Sequence, residues 1–426
     1  MLSSGELWVF FRAHQALLLT LLGVCCSVSA MSPSRAGSIL DRNDPTSVLL
    51  HCSEKFESAP RTGQCFTNEV EAGSAPGWYG NALYALWSNR EDALQAAIKN
   101  LRYESFDPTW LWAAEAEVLA YRKALTSLHR QLLHTKAPHS SSTWRALFDR
   151  FRLSLMLSSG EREQLQEMLK KRGRAAVLKH LDLAIVQVHL LANQSRTREL
   201  GKLLVELKRQ HPNDEFVTIA GARLALDTEG IAAALKILET NFPRFEESPG
   251  FLLEYGFLLL QEGSAIRRER GEGLVRRAVE QSKYRADFAL STTLLLLHYR
   301  HTALAWEIYR HLESVPGWKS VEEKFTDFHT VRAWQMVHLG NLDGATQSLA
   351  KALEEAPRDP EANWLRYLIC KRTGAAECIA ESLDNLWHMT PLDGYVRKAI
   401  LAESMRFPDE RKLQKLDRDV TAGSRK

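Results

Sequence analysis

The chain has almost no net charge to direct it: 55 Lys and Arg stand against 52 Asp and Glu over 426 residues, a balance of +3. An excess this small excludes the strong electrostatic pull toward nucleic acid or anionic lipid that a basic domain exerts. Long apolar runs are scarce. The stretch "ALLLTLLGV", Ala16 to Val24, is uncharged but well short of the ~20 residues that a spanning helix needs. Cysteine is sparse beyond residue 30, where only Cys52, Cys65, Cys370 and Cys378 occur and no Cys-x-x-Cys forms, which argues against zinc ribbons and thioredoxin-like chemistry. Also missing are His-Glu-x-x-His, Gly-x-Ser-x-Gly and a Gly-rich phosphate loop between a strand and a helix, and with them the commonest signs of zinc peptidase, α/β-hydrolase and nucleotide chemistry. His129, His134 and His139 are spaced by five, which spreads them around a helix that Pro138 would end, so they form no metal face. No alternating apolar–polar strand pattern is present.

What is there is the composition of a folded protein, 45% hydrophobic and 25% charged. The first thirty residues resemble a secretory leader: the Ala16–Val24 run follows Arg12 and His14, and Val28 and Ala30 are small residues placed for cleavage before Met31. Two alternatives remain open, an uncleaved anchor that would have to bury Arg12, and acylation at Cys25 or Cys26 after a poorly matching lipobox. Export would permit two disulfides, Cys52 with Cys65 and Cys370 with Cys378. Residues 31–77 are rich in Ser, Gly and Pro and read as a loop-rich extension carrying the first cysteine pair.

From Trp78 onward the texture changes to segments with apolar residues at i, i+3, i+4 and i+7, ended by Gly, Pro or polar clusters. They predict helices over 78–88, 90–102, 109–135, 143–158, 160–171, 176–193, 197–210, 214–226, 229–240, 249–262, 271–282, 286–299, 301–313, 322–339, 342–355, 360–373, 375–388 and 392–406. Short connections force neighbours to run antiparallel, giving a chain of helical hairpins. Prolines mark the breaks at "RQHPND", "TNFPR", "ESVPGW" and "EEAPRDP". Residues 78–180 read as degenerate hairpins and 392–426 as a capping helix with a charged tail.

Within 181–391 a period emerges: Gly340, Leu349 and Pro357 recur as Gly374, Leu383 and Pro391, each 34 residues on. The unit beginning at Thr326 resembles a tetratricopeptide repeat, with Ala333, Ala345 and Ala352 at the small positions, Gly340 in the turn and Pro357 at the end. The next unit, from Pro360, departs from that pattern by placing Tyr367, Ile379 and Leu386 at the small positions. The resemblance implies an all-α fold, an α/α superhelix or solenoid of antiparallel hairpins whose concave groove binds a protein or peptide. It carries the groove onto Trp334, Val337 and His338 in one unit and Trp364, Leu368, Lys371 and Arg372 in the next. The tryptophans read equally as inter-helix core. Asp327 and Val331 stand where the family's carboxylate clamp has Lys and Asn, so recognition of a chain terminus is not implied.

These readings predict a non-catalytic, exported scaffold, periplasmic or otherwise extracytoplasmic, possessing no cofactor or metal and touching a membrane only through an uncleaved N-terminal segment or a lipid. An accessory subunit of an envelope or transport assembly would be a special case. The rival is an α/α-toroid acting on carbohydrate, which needs paired acids over a cleft, and Asp107 and Asp327 are the candidates. "RGEG" at 270–273 reads as a flexible polar turn, and Arg267, Arg268, Arg270, Arg276 and Arg277 as a basic cluster between two helices.

Overall fold

A computed structural model describes residues 73–103, 108–134, 151–153, 155–156, 162–179, 181–194, 196–283, 285–387 and 403. The leader, the extension with Cys52 and Cys65, Asp107, His139 and the 392–426 tail, apart from residue 403, lie outside the described residues. The described chain is all-α. Its helices are α1 (Ala75–Trp87), α2 (Glu91–Tyr103), α3 (Pro108–Tyr121), α4 (Leu125–His134), α5 (Arg162–Arg172), α6 (Arg174–Lys179), α7 (Leu181–Asn193), α8 (Thr197–Gln210), α9 (Glu215–Thr228) and α10 (Ile231–Phe245). They continue as α11 (Pro249–Glu262), α12 (Ala265–Gln281), α13 (Ala286–His298), α14 (Thr302–Glu313), α15 (Trp318–Val321), α16 (Thr326–His338), α17 (Leu342–Glu355), α18 (Pro360–Thr373) and α19 (Ala376–Trp387).

The boundaries follow from local chemistry. Asp214, Ser248, Asn341 and Asp359 each accept a hydrogen bond from the backbone N–H three residues on, satisfying a donor that the first turn leaves unpaired. Pro249 and Pro360 open α11 and α18, where the missing N–H costs nothing. Gly374 ends α18 in the left-handed region at φ +76°, which a side chain would disfavour.

The structure differs from the sequence reading in several places, among them the helix expected over 322–339, where α16 begins only at Thr326. The helix expected over 109–135 breaks between α3 and α4, where Lys123 takes φ +58°. The one expected over 176–193 is divided between α6, which ends at Lys179, and α7, which begins at Leu181. Pro243 lies in the last turn of α10 instead of ending it. Most consequential, "SAIRRERGEG" does not form a connector, because α12 begins at Ala265 and carries both the arginines and Gly271 and Gly273 within it.

By internal contacts the chain divides into two compact units. One holds the described residues up to Leu155 together with Phe245–Phe328. At its centre α11 and α13 are buried on nearly every side, with Phe251, Tyr255, Phe257 and Leu290 fully buried beside the covered polar groups Glu254, Thr292 and Thr293. Helices α11 and α12 approach so closely that a Cβ added to Gly271 would stand 2.7 Å from the Gly256 carbonyl oxygen, and one added to Gly256 would stand 2.8 Å from the Gly271 oxygen. In the same unit the α3–α4 turn is tied to the start of α16. The Thr326 N–H donates to Arg122 O, the Thr326 hydroxyl donates to Lys123 O, and Lys123 Nζ pairs with Asp327 Oδ1 at 2.8 Å. Around this seam Trp318 packs on Phe325 and Phe328, and Phe325 meets the edge of Tyr121.

The other unit holds Met156–Arg244 and the described residues from His329 on. Leu200, Leu203, Leu204 and Leu207 line one buried stripe of α8. Farther along, Ala333, Ala345 and Ala352, the small positions of the repeat frame, are buried in one cluster with Leu349, Ala362, Leu365 and Ile369. The large residues of the following unit, Tyr367, Ile379 and Leu386, fill a second cluster with Cys370, Ala380 and Leu383. Cys370 and Cys378 lie on either side of the Gly374 turn with Cα atoms 5.8 Å apart and their sulfurs joined.

Candidate functional site

The residues carried onto the groove by the repeat frame all belong to the second unit. Trp334 is half-buried on α16, its ring resting on the Ala333–Leu349–Leu365 cluster and its Nε1 without a hydrogen-bond partner among the described residues. One turn on, His338 is exposed, with Nδ1 3.3 Å from Trp334 O and its ring 6.5 Å from the indole. Trp364 is half-buried on α18 against the Tyr367–Leu383 cluster, 5.1 Å from the Tyr367 ring. Lys371 reaches back one turn, donating to Tyr367 Oη at 3.0 Å and pairing with Glu403 Oε1 at 2.8 Å, while Arg372 beside it is exposed. The structure therefore brings Trp364 and Lys371 onto one stripe of α18 at the i, i+3, i+7 spacing that Tyr367 completes. Trp334 and His338 form a separate pair resting on a different cluster.

The core under these helices is filled by Ala333, Leu365 and Ile369, so the tryptophans stand at its margin, part packing and part surface. Sequence reasoning missed Tyr367 and Glu403 as polar members of the stripe. A signal was available: a large hydroxyl-bearing residue at a small position, four residues before a lysine. The Lys371 amine is held above its ordinary range, first by its hydrogen bond to Glu403, and burial pushes the Tyr367 phenol up.

Asp327 requires a correction. Far from lining an open groove or pairing with another acid, it is buried, bonded to Lys123 and accepting from Ser291 Oγ at 3.2 Å. A carboxylate enclosed in this way cannot reach a substrate, and the toroid reading loses its one described acid. The basic cluster also changes meaning. Arg276 is spent on Glu307 and Glu272, Arg267 on Glu262, and Arg270 lies 5.1 Å over the Tyr255 ring, so these arginines brace α12.

One buried titratable group has a measurable consequence. His189 on α7 is 4% exposed, faces Phe216 and lies near Arg223, and burial followed by that cation brings its pKa down to about 4 from the usual 6.5. The unfolded chain binds a proton at His189 below pH 6.5 whereas the folded chain does not until about pH 4, so folded-state stability falls as pH drops through that window. The expected loss between pH 7 and pH 5 is about 2 kcal/mol. His189→Leu should flatten that part of the profile; denaturant melts at both pH values, run on both proteins, give the comparison, and equal slopes would show that His189 is not buried neutral.

No family model and no curated protein matches the sequence. Among solved structures, the chain is similar to a chain of the APC/C hetero-tetramer Cut9–Hcn1, with 11% identity, covering 88% of this chain and 76% of that one at a TM-score of 0.38. It is also similar to the human IFIT1 dimer with PPP-AAAA, with 13% identity, 94% and 95% coverage and a TM-score of 0.35.

Proposed function

We propose that the chain is a non-catalytic helical-repeat scaffold that binds a protein or peptide along the margin formed by Trp334 and His338 on α16 and by Trp364, Lys371 and Arg372 on α18. One observation carries this reading: both tryptophans are only partly buried although neighbouring residues already fill the core beneath them. Half-buried aromatics next to cationic side chains are the residue types that anchor partners in interfaces. The test is capture of the native partner by the wild-type protein and by Trp334→Ala and Trp364→Ala. Each substitution should weaken capture by about 2 kcal/mol, roughly 30-fold, with the melting profile retained. Loss of folding in both variants would assign the rings to the core instead.

The same proposal places the chain outside the cytoplasm, after removal or retention of the apolar N-terminal segment. Among the described residues no helix is long and apolar enough to cross a membrane. The support for export is that Cys370 and Cys378 are positioned for a bond that an oxidising compartment would maintain. Alkylation of the denatured, unreduced protein should leave both thiols unlabelled. Cys370→Ser with Cys378→Ser should cost about 2 kcal/mol, the value expected for so short a closed loop. Full labelling of all cysteines would remove the support for an oxidising location.

A further inference from the structure

Asn89 sits in the turn between α1 and α2 at φ +54° and is 3% exposed. Its Oδ1 is buried and has no hydrogen-bond partner among the described residues, and the same holds for Nε of Arg122, just past the end of α3. Both residues line one cavity of about 10 Å³, together with Glu91 and with the apolar side chains of Leu86, Leu94, Val321 and Phe325. Neither group is free to turn away. Arg122 Nη2 donates to Glu91 Oε2 at 2.6 Å and the Arg122 carbonyl accepts from the Thr326 N–H, so the residue is held at both ends. The Asn89 backbone is held by Gly317, where an added Cβ would collide with the Asn89 carbonyl oxygen.

We propose that this cavity is a binding site for one ordered water molecule, which accepts from Arg122 Nε–H and donates to Asn89 Oδ1. Size and chemistry both select it. Room of about 10 Å³ suffices for a single water and for nothing larger. The guanidinium nitrogen can only donate and the amide oxygen can only accept, so the occupant must accept from one and donate to the other. A cation would face the guanidinium, a halide would face the amide oxygen, and a methyl group would leave both groups unpaired at the cost of their desolvation. Water satisfies both. The consequence is a hydrated link between the α1–α2 turn and the α3–α4 turn, beside the direct bonds that tie the latter to Thr326 and Asp327. A buried water in such a place is part of the packing and costly to remove. The site shares no residue with the groove proposed above and stands or falls without it.

The experiment is a crystal structure of the full chain, with a parallel crystal soaked in bromide. One oxygen should lie about 2.7–3.2 Å from both Asn89 Oδ1 and Arg122 Nε, with no anomalous signal there after the soak. A dry cavity overturns the proposal. So does a bromide peak, which would mean that the amide turns its Nδ2 inward and that the site takes an anion. In solution, oxygen-17 relaxation dispersion should count one more long-lived water in the wild-type protein than in Asn89→Gly, a substitution that suits φ +54° and removes only the side chain. An equal count in two proteins that both melt cooperatively would show that Asn89 does not hold the water, and would overturn the bridge.

Discussion

Asp327→Ala is expected to lower stability by about 3–5 kcal/mol, the usual consequence of stranding one member of a buried ion pair. Lys123 and Asp327 are 6% and 5% exposed, with Nζ and Oδ1 2.8 Å apart. Removing the carboxylate leaves the ammonium covered and also takes the acceptor from Ser291. The pair itself is worth much less than that loss, because two desolvated charges largely repay only their own burial. Lys123→Met with Asp327→Leu should therefore recover most of the stability that Asp327→Ala forfeits. Denaturant melts of the three proteins decide it, and a double variant as unstable as the single one would mean that the pair contributes more than its desolvation costs.

Gly271 and Gly273 offer a sharper contrast, since the same substitution should act in opposite directions two residues apart. In a helix, alanine is favoured over glycine by roughly 0.5–1 kcal/mol. At Gly273 nothing lies within 4 Å of an added Cβ, so Gly273→Ala should gain about that much. At Gly271 the Cβ would stand 2.7 Å from the Gly256 carbonyl oxygen and 3.1 Å from Leu260 N. Those atoms are backbone and cannot rotate aside, so α11 and α12 must separate. Overpacking of this kind costs about 1–3 kcal/mol, and Gly271→Val should reach the upper end, near 3 kcal/mol. Stabilisation by Gly271→Ala would show that the two helices do not meet through glycine.

The helical hairpins were legible because their signals are local. Apolar spacing and the prolines at the breaks, such as Pro212, Pro357 and Pro360, act within a few residues of where they stand. The resemblance to the tetratricopeptide repeat likewise marked Ala333, Ala345 and Ala352 as small positions between helices, and they are buried. Three features could not be read this way. The break at Lys123 depends on Asp327 and Thr326, which are remote in sequence and make a left-handed lysine tolerable. The glycines of "RGEG" have the composition of a turn, and only the facing Gly256 makes Gly271 a helix-packing residue. Glu403 had no periodic signal at all, and its role appears only once Lys371 and Tyr367 are seen to converge on it. In the candidate site, the frame located Trp334, His338, Trp364, Lys371 and Arg372 on two helices, but could not say that Lys371 was already engaged.

The seam between the α3–α4 turn and the start of α16 joins residues 204 positions apart. During synthesis at about 5–20 residues per second, the turn at Lys123 emerges from the ribosome some 10–40 s before Asp327 does. Throughout that interval Asp327 is absent from the seam, and the Tyr121 edge awaits Phe325. The hairpins on the N-terminal side of the seam can therefore be closed only after most of the chain has been made.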